Sequence, residues 1–195
     1  PYNRAGLIGR MALEVLLFRS LFRNTRAELR DGPKVTYASA KWLWLFGILF
    51  HYSFLIIVIR HLRFFMEPIP SFVDAISSVD GFFQIMVPTV FLSDIFFLAA
   101  VTYLFLRRVA LPQVRYISLP ADYFALFLIL GIGLSGVLMR QVFKVDLLGV
   151  KELAMSIFTL KPIIPAATIG PIFYVHLFLV SVLIAYLPFR DRKST

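Results

Sequence analysis

Three histidines are the residues of this chain best suited to bind a metal, and all of them lie in or at the ends of long apolar segments. They are His51, His61 and His176. Polar side chains are costly inside hydrocarbon and usually face the protein interior, so each imidazole needs a partner. The chain has no cysteine, which excludes a disulfide, an iron–sulfur cluster or a thioether-linked haem held by this chain alone.

The spacing of the histidines indicates two metal sites at different depths. His51 and His61 are ten residues apart, which on one helix displaces them by about 15 Å along the axis. His176 lies near the start of the last apolar segment, at the depth predicted for His61. Two imidazoles from two helices can clamp the iron of haem b, because imidazole is a strong ligand and the porphyrin needs an apolar slot. The alternative for each histidine is a hydrogen bond to a neighbouring helix.

Four charged residues accompany the histidines at the predicted membrane depth. Arg60, Arg63 and Arg140 lie near the level of His61 and could bind haem propionates. Asp94 lies within the second apolar segment, where an ionisable residue is a functional candidate by default. We expect Asp94 either to take part in proton transfer or to accept a hydrogen bond from a neighbouring Ser or Tyr.

Long apolar runs are the elements that must position these side chains. The chain is 59% hydrophobic and 16% charged, which disfavours both disorder and a soluble domain. About 20 apolar residues cross the hydrocarbon core as a helix. We therefore predict an all-α polytopic transmembrane bundle, forming one membrane-embedded domain over residues 1–195, with spans at about 42–62, 82–106, 120–140 and 169–189. Ala5–Phe18 contains Arg10 and Glu14 within a short apolar stretch, which predicts an N-terminal interfacial helix.

The basic residues predict the orientation of the bundle. The net charge is +9, and twelve of the 20 Lys and Arg residues lie in the predicted loops and ends on the side of the termini. The opposite side holds six, diluted by acidic residues. By the positive-inside rule both ends are cytoplasmic, in a multi-pass protein of the plasma membrane. The basic excess then reflects topology and a docking face for a cytoplasmic partner, and it does not indicate nucleic-acid binding.

Several motifs around the histidines resemble the membrane cytochrome b subunit of respiratory nitrate reductase. These motifs are Phe50-His51, Arg60-His61, Tyr174-Val175-His176-Leu177 and Leu187-Pro188-Phe189. Other stretches are similar to one branch, the cytochrome b subunit of the sulfite-reduction-associated membrane complex of sulfur-metabolising prokaryotes; they are Gly9–Glu14, Leu17–Thr25 and Val145–Leu153. The resemblance covers nearly the whole chain and implies a five-helix family, whose first helix would precede this chain.

The resemblance also implies cofactors and partners. Two haems b would lie in line across the membrane, with His61 and His176 on the outer haem and His51 on one side of the inner haem. Menaquinone or menaquinol would react near the outer haem. A cytoplasmic iron–sulfur subunit related to heterodisulfide reductase would exchange electrons at the inner haem, together with other membrane and extracytoplasmic redox subunits of the complex.

One ligand is missing from this pattern. Ser194 stands where the family has its fourth histidine. The second ligand of the inner haem therefore stays open among water, Tyr186, Lys193, a residue near Met11, another subunit, or a five-coordinate iron.

Two other functional classes are compatible with the sequence. A transporter or proton-conducting bundle would use Asp94 and the histidines as a relay without a cofactor. A plain membrane anchor would need none of these side chains. At the predicted height of the quinone site the chain offers four polar groups, Arg63, Glu67, Arg140 and Lys144.

Overall fold

The structure is a computed structural model that describes residues 3–23, 25–30, 34–81, 89–161, 163 and 169–190. The chain divides into two compact units, Pro1–Tyr52 and Ser53–Thr195. One long helix, α3 at Lys41–His61, runs through the division. The prediction of a single membrane-embedded domain stays a prediction.

The first unit begins with two short helices, α1 at Arg4–Leu17 and α2 at Arg19–Arg23. Asn3 caps the start of α1 by accepting a hydrogen bond from the Ala5 N–H at 2.6 Å. The helix ends at Phe18, which adopts a left-handed conformation with φ 46°. The Glu14 carboxylate accepts hydrogen bonds from the Ser20 hydroxyl and backbone N–H, which lower its pKa. These contacts fix the corner between α1 and α2.

Helix α1 is tied to the first half of α3 through its last carbonyls. The Trp44 indole donates to the Leu17 carbonyl at 2.7 Å, and the Tyr52 hydroxyl donates to the Leu16 carbonyl at 2.9 Å. The last carbonyls of a helix have no partner within the helix, so these two side chains satisfy groups that would otherwise stay unpaired.

A β-hairpin lies between α2 and α3. Its strands are β1 at Thr25–Arg30 and β2 at Lys34–Ser39, paired antiparallel from Thr25 opposite Ser39 to Arg30 opposite Lys34. The sequence analysis did not predict this hairpin. The predicted fold class, a helical membrane bundle, is nevertheless confirmed, because helices form all the other regular elements that the structure describes.

The second unit contains the end of α3 and the remaining helices. A 3₁₀ turn at Leu62–Phe64 follows α3. The helices are then α4 at Ser71–Asp80, α5 at Leu92–Ala110, α6 at Pro112–Ile117, α7 at Pro120–Gln141, α8 at Leu147–Phe158 and α9 at Pro171–Arg190. Helix α7 packs against both α5 and α9 and forms the centre of this unit.

Among the described residues, helices long and apolar enough to cross a membrane correspond to three of the predicted spans. They are Lys41–Phe64, Pro120–Gln141 and Pro171–Pro188. The start of the predicted second span differs from the structure, because residues 89–91 are not helical and the helix begins at Leu92. Residues 82–88 of that span lie outside the described residues. Helix α5 contains three charged residues, Asp94, Arg107 and Arg108. Hydropathy includes residues 89–91 in the span because it does not separate extended from helical backbone.

A close approach between α5 and α7 generates a prediction about stability. A Cβ added at Gly133 would lie 2.7 Å from a Phe97 ring carbon and 2.9 Å from a Leu98 methyl, whereas one at Gly131 would lie 3.4 Å from Leu179. Phe97 is buried and has little room to move. We expect Gly133→Ala to lower the free energy of unfolding by about 1–3 kcal/mol through overpacking.

Gly131→Ala is the matched control on the same helix. It should be neutral or stabilising by up to about 1 kcal/mol, because alanine is the better helix former. Unfolding of both variants by SDS titration measures the difference, and equal midpoints would contradict close packing of α5 on Gly133.

Candidate functional site

His61 and His176 face each other across two helices of the second unit. His61 lies at the end of α3 and His176 in the second turn of α9. Their ring centroids are 6.5 Å apart and their planes differ by 10°. A metal bound by one nitrogen of each ring at about 2 Å would separate the centroids by about 6 Å. The pair predicted from the sequence is therefore brought to a distance that one metal ion can bridge.

The orientation of the His61 ring is set by its own helix. Its Nδ1 lies 2.7 Å from the carbonyl oxygen of Ile57, one turn earlier. A carbonyl only accepts, so Nδ1 carries the proton and Nε2 keeps its lone pair. Metal-ligating histidines usually make such a bond with the ring nitrogen that does not bind the metal. Nε2 of His61 is thus the atom available to a metal.

The His176 ring is oriented by a serine of the neighbouring helix. Its Nδ1 lies 2.8 Å from the Ser135 hydroxyl, which in turn donates to the Ile132 carbonyl at 3.0 Å. Because the serine proton goes to that carbonyl, Nδ1 of His176 is the donor and its Nε2 keeps the lone pair. Gly136 lies one residue further along α7, where a Cβ would be 3.5 Å from the His176 ring. The α7 surface at Ser135 and Gly136 thus shapes the seat of this imidazole.

His51 repeats the same local geometry in the first unit. Its Nδ1 lies 2.7 Å from the Gly47 carbonyl one turn earlier. The Phe18 and Phe50 rings lie 4.9 Å and 5.0 Å from the imidazole, centroid to centroid. His51 therefore also presents Nε2 as an acceptor. Its ring lies among aromatic side chains rather than opposite a second histidine.

A buried ion network adjoins the histidine pair. Arg60, which is 9% exposed, donates to the Asp80 carboxylate at 2.8 Å and to the Ser93 hydroxyl at 3.0 Å. Asp80 also accepts from the Ser93 backbone N–H at 2.7 Å and hydroxyl at 2.6 Å. Asp94 lies 3.4 Å from the same guanidinium. The network thus ties the ends of α3 and α4 to the first turn of α5.

Two arginines lie against one buried aromatic ring at this network. The guanidinium carbons of Arg60 and Arg140 are 3.2 Å and 4.0 Å from the centroid of Phe91. Each arginine has a buried Nε without a hydrogen-bond partner among the described residues. Buried donors normally have partners, so these two Nε atoms are the donors of this network that an additional acceptor would satisfy.

The predicted arginines therefore differ in their surroundings. Arg60 was predicted to bind a haem propionate, but in the structure it forms an ion pair with Asp80. Arg140 stays available to an anion through its unpaired Nε. Asp94 pairs with Arg60 instead of accepting a hydrogen bond from Ser or Tyr, and it lies in the first turn of α5 rather than deep in a span.

Three contributors were missed by the sequence analysis. Asp80 falls between the predicted spans, Phe91 falls within an apolar run, and no motif marks Ser135. Ser135 lies within the glycine-bearing segment of α7, and that local polarity was the available signal. No local sequence signal marks Asp80, because its partner Arg60 is 20 residues away and belongs to another helix.

Metal binding by protein side chains alone is not indicated in the described ranges. They contain no group of three or more His, Cys, Asp or Glu side chains able to hold a metal ion. A haem iron already has four porphyrin nitrogens and needs at most two axial ligands. The donor set of two opposed imidazoles fits a haem better than a protein-only metal centre.

Comparison with known proteins shows the family of this chain. Residues 11–191 match the family described as "Nitrate reductase gamma subunit". The chain belongs to this family. It is accordingly a multi-pass membrane protein, as the long apolar helices indicate. No solved structure matches the chain.

Two curated relatives are similar over nearly the whole chain. The "Hdr-like menaquinol oxidoreductase cytochrome b-like subunit" of Archaeoglobus fulgidus is 49% identical over 97% of this chain and 57% of the relative. The protein of the same name from Archaeoglobus profundus is 44% identical over 97% of this chain and 56% of the relative. The chain thus spans a little over half the length of these relatives. The family match confirms the predicted resemblance to the nitrate reductase subunit at the level of the family.

The ion network generates a second prediction about stability. Asp80→Asn removes the charge that compensates Arg60 in a buried position, and breaking such a pair costs about 3–5 kcal/mol. Asp74→Asn is the matched control, since Asp74 lies on the same helix and is exposed. It should change the free energy of unfolding by less than about 0.5 kcal/mol. SDS unfolding measures both, and an Asp80→Asn variant as stable as the control would contradict the network.

Proposed function

We propose that this chain is a dihaem b membrane subunit that relays electrons between menaquinone or menaquinol and a cytoplasmic iron–sulfur partner. The observation that carries the proposal is the pair of near-parallel imidazoles of His61 and His176, 6.5 Å apart, each with Nδ1 engaged. The names of the two Archaeoglobus relatives support the quinol and cytochrome b assignments.

The outer haem site is formed by His61 and His176. Haem b supplies a one-electron redox centre in an apolar surrounding, while the protein sets its position and potential. The bonds to the Ile57 carbonyl and the Ser135 hydroxyl hold each Nε2 as an acceptor and raise the basicity of the ligand. Arg63 and Arg140 are the arginines left to bind the propionates, because Arg60 is held by Asp80.

The inner haem site is formed on His51. Its Nδ1 bond to the Gly47 carbonyl gives the same donor arrangement as at His61, and the Phe18 and Phe50 rings provide apolar walls. Among the ligands left open by the sequence, the Tyr186 hydroxyl already donates to the Ala121 carbonyl at 2.9 Å. Lys193 lies outside the described residues. His51 is therefore the one described residue that we assign to the inner haem.

The partners are assigned from the orientation and the relatives. With both ends of the chain cytoplasmic, His51 lies in the inner leaflet and faces a cytoplasmic iron–sulfur subunit, for which the "Hdr-like" name of the relatives indicates a heterodisulfide reductase type. The outer haem then faces the menaquinone pool and any extracytoplasmic redox subunits. Within the family, we assign the chain to the sulfite-reduction-associated branch, with a role in sulfur-linked respiration.

Haem content is the decisive measurement. The purified complex should show a dithionite-reduced minus oxidised spectrum of b-type haem. His61→Ala and His176→Ala should each remove the same haem, whereas His51→Ala should remove the other. A complex without reducible haem would favour a transporter or a plain anchor, and retention of both haems by His61→Ala would overturn the ligand assignment.

The serine behind His176 provides a sharper test of the outer site. Ser135→Ala removes the acceptor that orients Nδ1 of His176, and losing such a contact typically lowers metal affinity about 10–100-fold. Ser156→Ala is the matched control, because this buried serine also donates to a carbonyl of its own helix, that of Leu153 at 2.8 Å. Titration of haem into the apo-protein compares the two variants. Equal haem affinity in both would contradict the role of Ser135.

A further inference from the structure

We propose that Asp94 is the carboxylate that accepts a proton from the hydroquinone oxidised at the His61–His176 site. The proposal rests on the proposed function and adds a proton acceptor to it. Each hydroquinone that is oxidised to a quinone gives up two electrons and two protons. In each of two successive proposed steps one hydroquinone O–H bond breaks and an O–H bond forms on an Asp94 oxygen, with Asp94 releasing the first proton before it accepts the second. A ferric haem held by His61 and His176 would be the one-electron oxidant for each step.

The network distinguishes Asp94 from its neighbouring carboxylate. Both oxygens of Asp80 are engaged, by Arg60 and by the backbone and hydroxyl of Ser93, and its side chain is 6% exposed. Asp94 has one long contact, 3.4 Å from Oδ1 to Arg60, and its side chain is 21% exposed. Its Oδ2 has no hydrogen-bond donor within the part of the chain that the structure describes. Asp94 therefore has an accessible oxygen and Asp80 does not.

Protonation of Asp94 would leave the network intact. Arg60 would keep its 2.8 Å ion pair with Asp80, so no unpaired guanidinium is created. The buried Nε of Arg60, which lacks a partner among the described residues, provides a donor beside Asp94 for an oxygen of the substrate. Buried unpaired donors of this kind favour a ligand that carries acceptor oxygens, which a quinone does.

The charged groups around Asp94 come from three other helices. Arg60 of α3 and Arg140 of α7 are positive, and Asp80 of α4 is negative. His61, next to Arg60, directs its hydrogen bond to Ile57 rather than to Asp94. The two arginines and two aspartates balance in charge. A proton on Asp94 therefore adds one positive charge next to the site that gains an electron, and the two charges offset each other.

The experiment compares Asp94→Asn with Asp94→Glu in the full-length protein assembled in its complex, with menadiol as the electron donor. Asp74→Asn again serves as the control with the same loss of charge at an exposed position. For each variant we would measure the dithionite-reduced haem spectrum and the rate of haem reduction by menadiol between pH 5 and 9. The spectrum reports the haems independently of the quinol reaction.

We expect Asp94→Asn to retain its haems and to slow reduction by menadiol at least about tenfold, in the range of general base catalysis. In the wild type the rate should fall at low pH as the carboxylate becomes protonated and ceases to accept. Asp94→Asn should lose this fall in rate at low pH. Asp94→Glu should keep most of the wild-type rate, with the fall shifted to a different pH. Asp74→Asn should match the wild type.

Three outcomes would overturn the proposal. One is an Asp94→Asn variant with the wild-type rate and pH profile, and another is an equal loss of rate in Asp94→Asn and Asp94→Glu with the haems present. If Asp94→Asn fails to assemble, the test rests on Asp94→Glu. The third contradicting outcome is then an Asp94→Glu variant whose rate falls at low pH just as in the wild type. A wild-type complex without haem or without reduction by menadiol contradicts the proposed function itself, so the two failures are distinguishable.

Discussion

The ion pair between Arg60 and Asp80 is the interaction on which the second unit depends. A charged side chain at membrane depth is stable only when it is paired, and this pair is almost completely buried. It joins the last turn of α3 to the end of α4, and through Ser93 it also joins the start of α5. Arg60 directly precedes His61. The position of the imidazole at the end of α3 is therefore coupled to a charge that belongs to a different helix.

Apolar surface alone cannot provide such positional precision in a membrane. Lipid tails are as apolar as leucine, so helix faces gain little by choosing one another over lipid. Close packing and polar contacts decide instead. Gly133 brings α7 close to Phe97 of α5, and Ser135 bonds His176 of α9. The central helix α7 thus fixes one neighbour by shape and the other by a hydrogen bond.

Features governed by local rules could be predicted from the sequence. Apolar runs predicted four spans, because a segment in hydrocarbon must satisfy its backbone hydrogen bonds internally. Three of the four correspond to membrane-length apolar helices among the described residues. The spacing and depth of the histidines predicted the pairing of His61 with His176. The β-hairpin, the loop helices α4 and α8, and the role of Asp80 were not predicted. Helix α8 did carry a local signal, since Asp146 caps it by accepting from the Leu148 and Gly149 N–H groups. The partner of Asp80 could not be found this way, because contacts between distant helices leave no periodic trace in one sequence.

The histidines show where the local and the long-range contributions separate. His51 and His61 each bond the carbonyl four residues earlier, so the helix itself orients both rings and presents both Nε2 atoms. The two histidines differ in the group that lies opposite each imidazole. His61 meets His176, whereas the His51 ring contacts Phe18 and Phe50. A ten-residue spacing on one helix is therefore sufficient to prepare two donors, but a site is completed only where a second helix supplies the facing ligand. In the described part of the chain that happens next to the Arg60–Asp80 pair, so the paired imidazoles lie beside Asp94, the one carboxylate of this network with an accessible oxygen.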